Sequence, residues 1–445
     1  MKRNGFLIMD SPSPQRAQWL SHRKMSQLPK FSYPVIITKN MNYIICHYGE
    51  IALKRGNRKF FEDKLISNIK AAFEKQAPGN FSAEGGPAFG WEFVKRISGR
   101  ILIKLSENGQ SASWRTNARC QMSDVLKNIF GIVHFSFAVS TEQNIESIQK
   151  AALELLKEKK FKTFRISAKR AEKKFPLNSQ QINEKVGEFI LNKLKVKVNL
   201  ENPDVAVFIE IVEKSAFIYL EKIKGPGGLP AGSSGKGIVL ISGGIDSPVA
   251  SYFAMKRGVE AVYLHFHSYP FTSKNSIERV KQLVGILNKF QQKSKLILIP
   301  FAEIQQKIVS SKIPEKLRVV LYRRFMFRIA EKIAEKENAF VLITGESIGQ
   351  VASQTLGNIK AIEEAVKIPI LRPLAGFDKE ETIVLARNIG TFETSILPCD
   401  DTCSLFAPLH PETKANIKSV KLAEKKLNAK KIIAEAIKNS QVEII

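Results

Sequence analysis

Residues 242–248, Ser-Gly-Gly-Ile-Asp-Ser-Pro, stand between an apolar run and a helical pattern, and their types suit an anion. Gly243 and Gly244 let the backbone approach a ligand closely and reach angles closed to other residues. Ser247 is a good N-cap type and Pro248 suits the first helical position, so the spacing predicts a helix start with free N–H groups and a positive dipole end. No Gly-Lys-Ser/Thr follows, so this is not the Walker loop, and Gly-x-Gly-x-x-Gly is absent. The bland alternative is an ordinary Ser/Gly turn. His265-Phe-His267 closes the next apolar run, where a histidine is either a polar strand-end residue or a ligand. Residues 344–354, Thr-Gly-Glu-Ser-Ile-Gly-Gln-Val-Ala-Ser-Gln, form a second glycine-containing turn rich in hydrogen-bonding groups. Arg318 and Tyr322-Arg-Arg324 precede it on a predicted helix, as phosphate-binding guanidinium groups or as a solvated face. Farther upstream, residues 161–170 interleave aromatic and basic side chains. There Lys162, Arg165, Lys169 and Arg170, with Lys173 and Lys174, offer phosphate contacts beside rings for stacking. The competing reading is a charged surface strand with its aromatics turned inward.

These residues need a scaffold, and 445 residues exceed what one core usually holds. Residues 1–40 are aperiodic and proline-scattered, which predicts little order. A strand over 41–47 and an amphipathic helix over 57–73 follow, then strands near Phe93 and over 101–105. From 125 to 220 helix and strand alternate in a small α/β unit. Residues 225–235 read as the clearest linker. Beyond it, strands at 237–241, 259–266, 295–300 and 340–344 are separated by helices, which predicts a parallel, doubly wound sheet with ligands at the carboxyl ends of its strands. The tail after Pro411 reads as one Lys-rich amphipathic helix.

Charge is the strongest bulk signal. Lys and Arg number 69 against 42 Asp and Glu, a formal +27. Such an excess suits a polyanion, since each neutralised phosphate releases counterions, but it does not separate RNA from DNA or anionic lipid. No apolar run is long enough for a membrane span and no secretory signal is visible. Four cysteines make no disulfide scaffold, which predicts the reducing cytoplasm.

The turn at 242–248 resembles the pyrophosphate loop of the ATP-pyrophosphatase superfamily, in which ATP adenylates a carbonyl oxygen. In that setting Asp246 would help position Mg2+ and phosphates. Residues 345–356, together with Tyr48-Gly-Glu-Ile-Ala-Leu-Lys54, Gly56-Asn-Arg-Lys-Phe-Phe-Glu62, Leu371-Arg-Pro-Leu374 and Asp378-Lys-Glu380, resemble the tRNA 4-thiouridine synthetases, or tRNA uracil 4-sulfurtransferases. The likeness runs from about Met41 to Pro411. It implies a multidomain α/β chain: 1–40 an extension or a misplaced start, 41–115 a ferredoxin-like domain, 116–224 an RNA-binding THUMP domain, 225–236 a linker, and 237–445 an ATP-pyrophosphatase domain. It implies that ATP contacts Leu240, Ile241, His265, Phe266, Arg323, Gly345 and Gln354 beside Ser242, Gly243, Gly244 and Ser247. It implies tRNA as substrate, with uridine at position 8 converted to 4-thiouridine, a cysteine desulfurase as sulfur donor, and room for a homodimer.

Cys403 aligns with that family's essential cysteine. Oxide is a very poor leaving group, so the carbonyl oxygen must be adenylated before a sulfur nucleophile attacks, and a cysteine persulfide can supply that sulfur. A second thiol must then resolve the sulfur–sulfur bond. Many relatives carry it on a rhodanese-like domain for which this chain leaves no room. Cys399 either takes that part or is a loop thiol without a role. The pair could be half a zinc site, but nothing completes it, and no metal-ligating set is predicted. A related role in sulfur supply to the thiazole of thiamine is implied only loosely. Two other readings remain: a synthetase of the same fold using ammonia or an amino acid, and a tRNA-binding protein with a decayed ATP site.

Overall fold

The computed structural model describes residues 41–75, 90–106, 112–398, 406 and 408–445. The expectation for residues 1–40 lies outside them, as do Cys399 and Cys403.

The first half is built on one mixed sheet of nine strands. These are β1 (Tyr43–Tyr48), β2 (Trp91–Ile97), β3 (Arg100–Leu105), β4 (Ile132–Glu142), β5 (Thr163–Arg170), β6 (Lys197–Val198), β7 (Val205–Val212), β8 (Ser215–Tyr219) and β9 (Ile223–Lys224). Their order is β2-β3-β1-β4-β8-β7-β5-β6, with β9 paired to β4. β4 is the shared strand: it pairs with β1 through Ile132–Ala138 and with β8 through Val139–Glu142. The expected boundary at 115/116 falls inside the helix Ala112–Leu126, so the chain passes from one α/β unit to the next along β4. A buried charge cluster crosses the same seam. His47 Nε2 lies 2.8 Å from Glu210 Oε1, Arg100 pairs with the other carboxylate oxygen, and Tyr219 donates to Glu210 at 2.6 Å.

Residues 225–235 are not a free tether. Gly225 and Gly227 donate to the carbonyls of Val133 and Ile132 on β4, and Leu229 donates to that of Lys256 at 2.9 Å. At Gly228, with φ 76°, an added Cβ would sit 2.2 Å from the Lys256 carbonyl oxygen. The segment is glycine-rich because its backbone is clamped between two bodies.

The second half is the parallel sheet that the sequence predicts. Its strands are β10 (Lys236–Leu240), β11 (Glu260–His267), β12 (Lys295–Pro300), β13 (Ala339–Ile343), β14 (Ile370–Leu371) and β15 (Gln441–Ile444), in the order β14-β13-β10-β11-β12-β15. Successive residues of each strand point to opposite faces, and over β10, β11 and β12 both faces are covered. Ile238, Val262 and Leu264 pack towards the helix Arg318–Glu337, whereas Val239, Ile241 and Tyr263 pack towards Asp246–Lys256 and Asn275–Gln291. Burial on two sides is why these strands read as unbroken apolar runs. The tail departs from expectation: it forms two helices, Ile417–Glu424 and Ala429–Lys438, and then β15, antiparallel on β12. Asn428 breaks the expected single helix because its side chain accepts from the Lys431 amide and caps the second one.

Candidate active site

From β10 the chain crosses to β11 on one side, while β13 lies on the other, so the strand order reverses between β10 and β13. The crevice beyond the carboxyl ends of those two strands is where a doubly wound sheet binds ligands. Both predicted turns open there. The helix after β10 begins at Asp246, one residue before the expected N-cap, and Ile245 before it is helical with no side-chain cap. Ser247 therefore does not cap the helix. Its hydroxyl turns back to accept from the Ser242 amide at 2.9 Å, while the Ser242 hydroxyl accepts from the Gly244 amide at 3.3 Å. The turn is braced from within, and the first N–H groups of the helix remain without a side-chain cap, as an anion site requires.

The turn after β13 lies against this one. A Cβ at Gly345 would fall 2.6 Å from the Ser247 amide nitrogen and 2.7 Å from the Asp246 carbonyl carbon. Gly345 is thus a point of backbone contact between the two turns. Asp246 is gripped from that side as well. Lys379 Nζ lies 2.7 Å from one carboxylate oxygen, and Gln350 Nε2 donates to the other at 3.1 Å. Gln354 closes the turn by accepting from the Gly349 amide, and its Oε1 is buried without a protein partner.

Beneath the second turn, Glu346 is 3 % exposed and joins Arg323, Arg372 and Thr344. Burial pushes its carboxyl up, but the two guanidinium groups outweigh that and hold it below the usual carboxylate range. Arg323, predicted at the nucleotide, reaches this crevice through that hub. Its neighbour Arg324 is committed elsewhere. Arg324 is buried and paired with Glu424 at 2.9 Å, Tyr322 is buried, and Arg318 pairs with Glu315. The phosphate-binding reading is therefore corrected for Arg324: on a helix packed into a core, adjacent residues face different partners.

His265 takes the strand-end role. It is buried, and Nδ1 donates to the Ile241 carbonyl at 3.0 Å, tying β11 to the end of β10. Burial pulls its pKa down to about 4, so the ring is neutral at pH 7 and Nε2 is a buried acceptor without a protein partner. Phe266 is buried edge-on to Phe301, Ile241 is buried, and Leu240 is half-buried.

The segment carrying Cys399 and Cys403 is described only at its ends, and the near end meets the first turn. Ser395 Oγ donates to the Gly244 carbonyl at 3.4 Å, and Arg279 Nη2 donates to the Pro398 carbonyl at 2.6 Å. At the far end Phe406 stands edge-on to Phe271 at 6.2 Å. Arg279, Glu346, Gln350, Arg372 and Lys379 carry no role in the sequence reading. Four of them sit in or beside stretches singled out there for resemblance; Arg279 had no signal.

In the first half, the strand alternation decides between the two readings of residues 161–170. Phe164 and Ile166 are buried, so the Phe164 ring serves the core, while Phe161 packs edge-on to it and stays half-buried. Lys162, Lys169, Lys173 and Lys174 are exposed, whereas Arg165 and Arg170 donate to the carbonyls of Leu200 and Phe175. The stacking expectation is corrected for Phe164 alone; the lysines remain on the surface. Among the described residues no group of three His, Cys, Asp or Glu could hold a metal ion. No described helix is long and apolar enough to cross a membrane.

Residues 43–136 match the ThiI ferredoxin-like domain, 142–221 the THUMP domain, and 232–429 the family described as Thiamine biosynthesis protein (ThiI). A probable tRNA sulfurtransferase of Moorella thermoacetica is 40% identical, over 90% of this chain and 96% of its own length. One from Thermoanaerobacter sp. is 43% identical, over 88% and 96%. Among solved structures, a 4-thiouridine synthetase–RNA complex with bound ATP superposes with a TM-score of 0.77 at 37% identity, covering 91% of this chain and 99% of that one. A protein of Pyrococcus horikoshii gives 0.59 at 28% identity, covering 78% and 99%.

Proposed function

The chain belongs to the tRNA sulfurtransferase family, and from that premise we propose that it adenylates O4 of a tRNA uridine with ATP and exchanges that oxygen for sulfur, giving 4-thiouridine. One observation carries the reading. The braced turn at 242–248 and the turn at 344–354 meet through Gly345 at the reversal of the strand order, and the stem of the cysteine-bearing segment is tied to the first of them.

ATP fits what is there. The uncapped helix start suits its phosphates, and the Gln354 and His265 acceptors are buried atoms that lack protein partners. Asp246 is the residue that would hold Mg2+, since an ion shared with nucleotide phosphates needs only one or two protein carboxylates. Lys379, already on that carboxylate, keeps it oriented. Uridine O4 attacks the α-phosphorus and pyrophosphate leaves. The terminal sulfur of a persulfide on Cys403 then attacks C4, AMP leaves, and a disulfide links base to protein. A second thiol attacks Cys403 Sγ and releases the thiolated base, and an external dithiol reduces the disulfide left behind. Cys399 is the nearest second thiol in the chain.

A cysteine desulfurase supplies the persulfide sulfur in this scheme, and the lysines at 162, 169, 173 and 174 face the tRNA. Cytoplasmic residence is part of the same proposal; Cys46 and Cys120, the two described cysteines, are free thiols, in keeping with a reducing compartment. A second role in sulfur supply for thiamine rests on the family description alone.

The test uses purified protein, unmodified tRNA, ATP, Mg2+ and either sulfide or a desulfurase with cysteine, reading 4-thiouridine absorbance. Sulfide should support turnover, Asp246→Ala should abolish it with either donor, and Cys403→Ser should stop only the desulfurase-driven reaction. Wild-type rates for Cys403→Ser with the desulfurase would remove that cysteine from the mechanism.

A further inference from the structure

Arg279, in the helix Asn275–Gln291, is 8 % exposed, and among the described residues it pairs with no carboxylate. Its Nε is buried without a partner, and Nη2 donates to the Pro398 carbonyl at 2.6 Å. Its stem lies under the first turn, where a Cβ on Gly243 would come within 2.9 Å of Arg279 Cδ and 3.6 Å of Nη1. A buried guanidinium is costly without a counter-charge, and none of the described carboxylates supplies one here. The anion expected at this turn is nucleotide phosphate. Meanwhile Pro398 stands five residues before Cys403 in the chain, and Ser395 Oγ bonds Gly244 from the same segment.

We propose that Arg279 is a positioning residue that couples the two half-reactions: it takes its counter-charge from ATP phosphate at the Gly243–Gly244 turn and, through Pro398, fixes the stem of the cysteine-bearing segment against that turn. This deepens the sulfurtransferase reading and rests on it. Planarity matters, because one fork can serve a carbonyl on one nitrogen and an anion on another, which a lysine ammonium cannot do in the same geometry.

The experiment compares the full-length wild type, Arg279→Lys and Arg279→Ala in two measurements. The first is ATP binding by equilibrium dialysis. The second is 4-thiouridine formation with sulfide, which needs no protein sulfur carrier, and with a desulfurase plus cysteine. Arg279→Ala should weaken ATP binding about tenfold, the size of a lost charge-assisted contact. Arg279→Lys should recover most of that affinity. Both should depress the desulfurase-driven rate at least about tenfold more than the sulfide-driven rate at saturating ATP, a split that general loosening of the fold would not produce. Equal losses with both donors, or unchanged ATP affinity in Arg279→Ala with its melting temperature preserved, would overturn the assignment. If Arg279→Ala does not fold, the Arg279→Lys donor split decides alone. Absence of wild-type product with sulfide and ATP would instead sink the underlying function, a result seen before any variant is made.

Discussion

One carbon added at position 345 would meet backbone on the opposite turn at 2.6 and 2.7 Å, and backbone cannot swing aside as a side chain can. Overpacking of this kind costs about 1–3 kcal/mol, and here it must push the two halves of the nucleotide crevice apart. Gly345→Ala should therefore fold and yet raise the KM for ATP about tenfold or more; an unchanged KM would mean that the two turns need not touch. His265 makes a prediction of a different sign. Burial lowers its folded pKa to about 4 against an unfolded value near 6.5, so it stays neutral in the fold while the unfolded chain takes up a proton. Its contribution is fully present above about pH 6.5 and declines as pH falls towards 4, on the order of 2 kcal/mol lost by pH 5. His265→Asn keeps a donor for the Ile241 carbonyl and does not titrate. Hydrogen exchange of β11 amides in wild type, relative to that variant, should accelerate between pH 7.5 and pH 5; parallel behaviour would show that the ring is not buried neutral. At this scale the sequence shows residue types, not the distances between them. Ser242 to Ser247 is legible because six consecutive residues make the turn. Arg279 is not, because its partner Pro398 is 119 positions away.

Elements were easier to read where burial is two-sided. β10 to β12 are apolar through their middles because helices cover both faces, and they and β13 were each expected within a residue or two of where they lie. The tail misled because its periodicity is interrupted by an Asn cap rather than by Gly or Pro, and because Val442 and Ile444 are exposed on an edge strand. What fastens the first tail helix is Glu424, which receives Arg324 at 2.9 Å and Arg328 at 3.0 Å. Arg324 is 1 % exposed, so removing Glu424 would strand a buried charge, at about 3–5 kcal/mol for such a pair. Glu364, which also reaches Arg324 at 3.1 Å, offsets part of that cost and argues for the lower end. Glu424→Ala should thus lower stability by about 3 kcal/mol. The double variant Arg324→Met with Glu424→Leu should recover most of it, measured as the shift in thermal midpoint. If the double variant is no better than the single, the pair is not what holds the helix.

Across the whole molecule, charge and continuity set the terms for tRNA. The nine-stranded sheet runs without a break from the ferredoxin-like part into the THUMP part, and the His47–Glu210–Arg100 cluster pins its seam, so basic side chains on it keep fixed spacings. A formal +27 ensures attraction to any polyanion, but only lysines held against the RNA backbone release counterions on binding. Each such contact contributes about 0.7–0.9 to the slope of log K against log salt. Lys169, Lys173 and Lys174 are exposed beside the end of β5. Replacing all three by Gln should lower the slope for tRNA binding by about two. Lys425, Lys430 and Lys438, exposed in and beside the two tail helices, remove the same formal charge when replaced by Gln and serve as the control. Because screening confines exposed charges to about 8–10 Å at moderate salt, charge removed beyond that reach should leave the slope almost unchanged. Equal slopes for the two triple variants would mean that tRNA feels only the overall excess of positive charge. A drop confined to the first would place the RNA along the edge of the sheet that β5 borders.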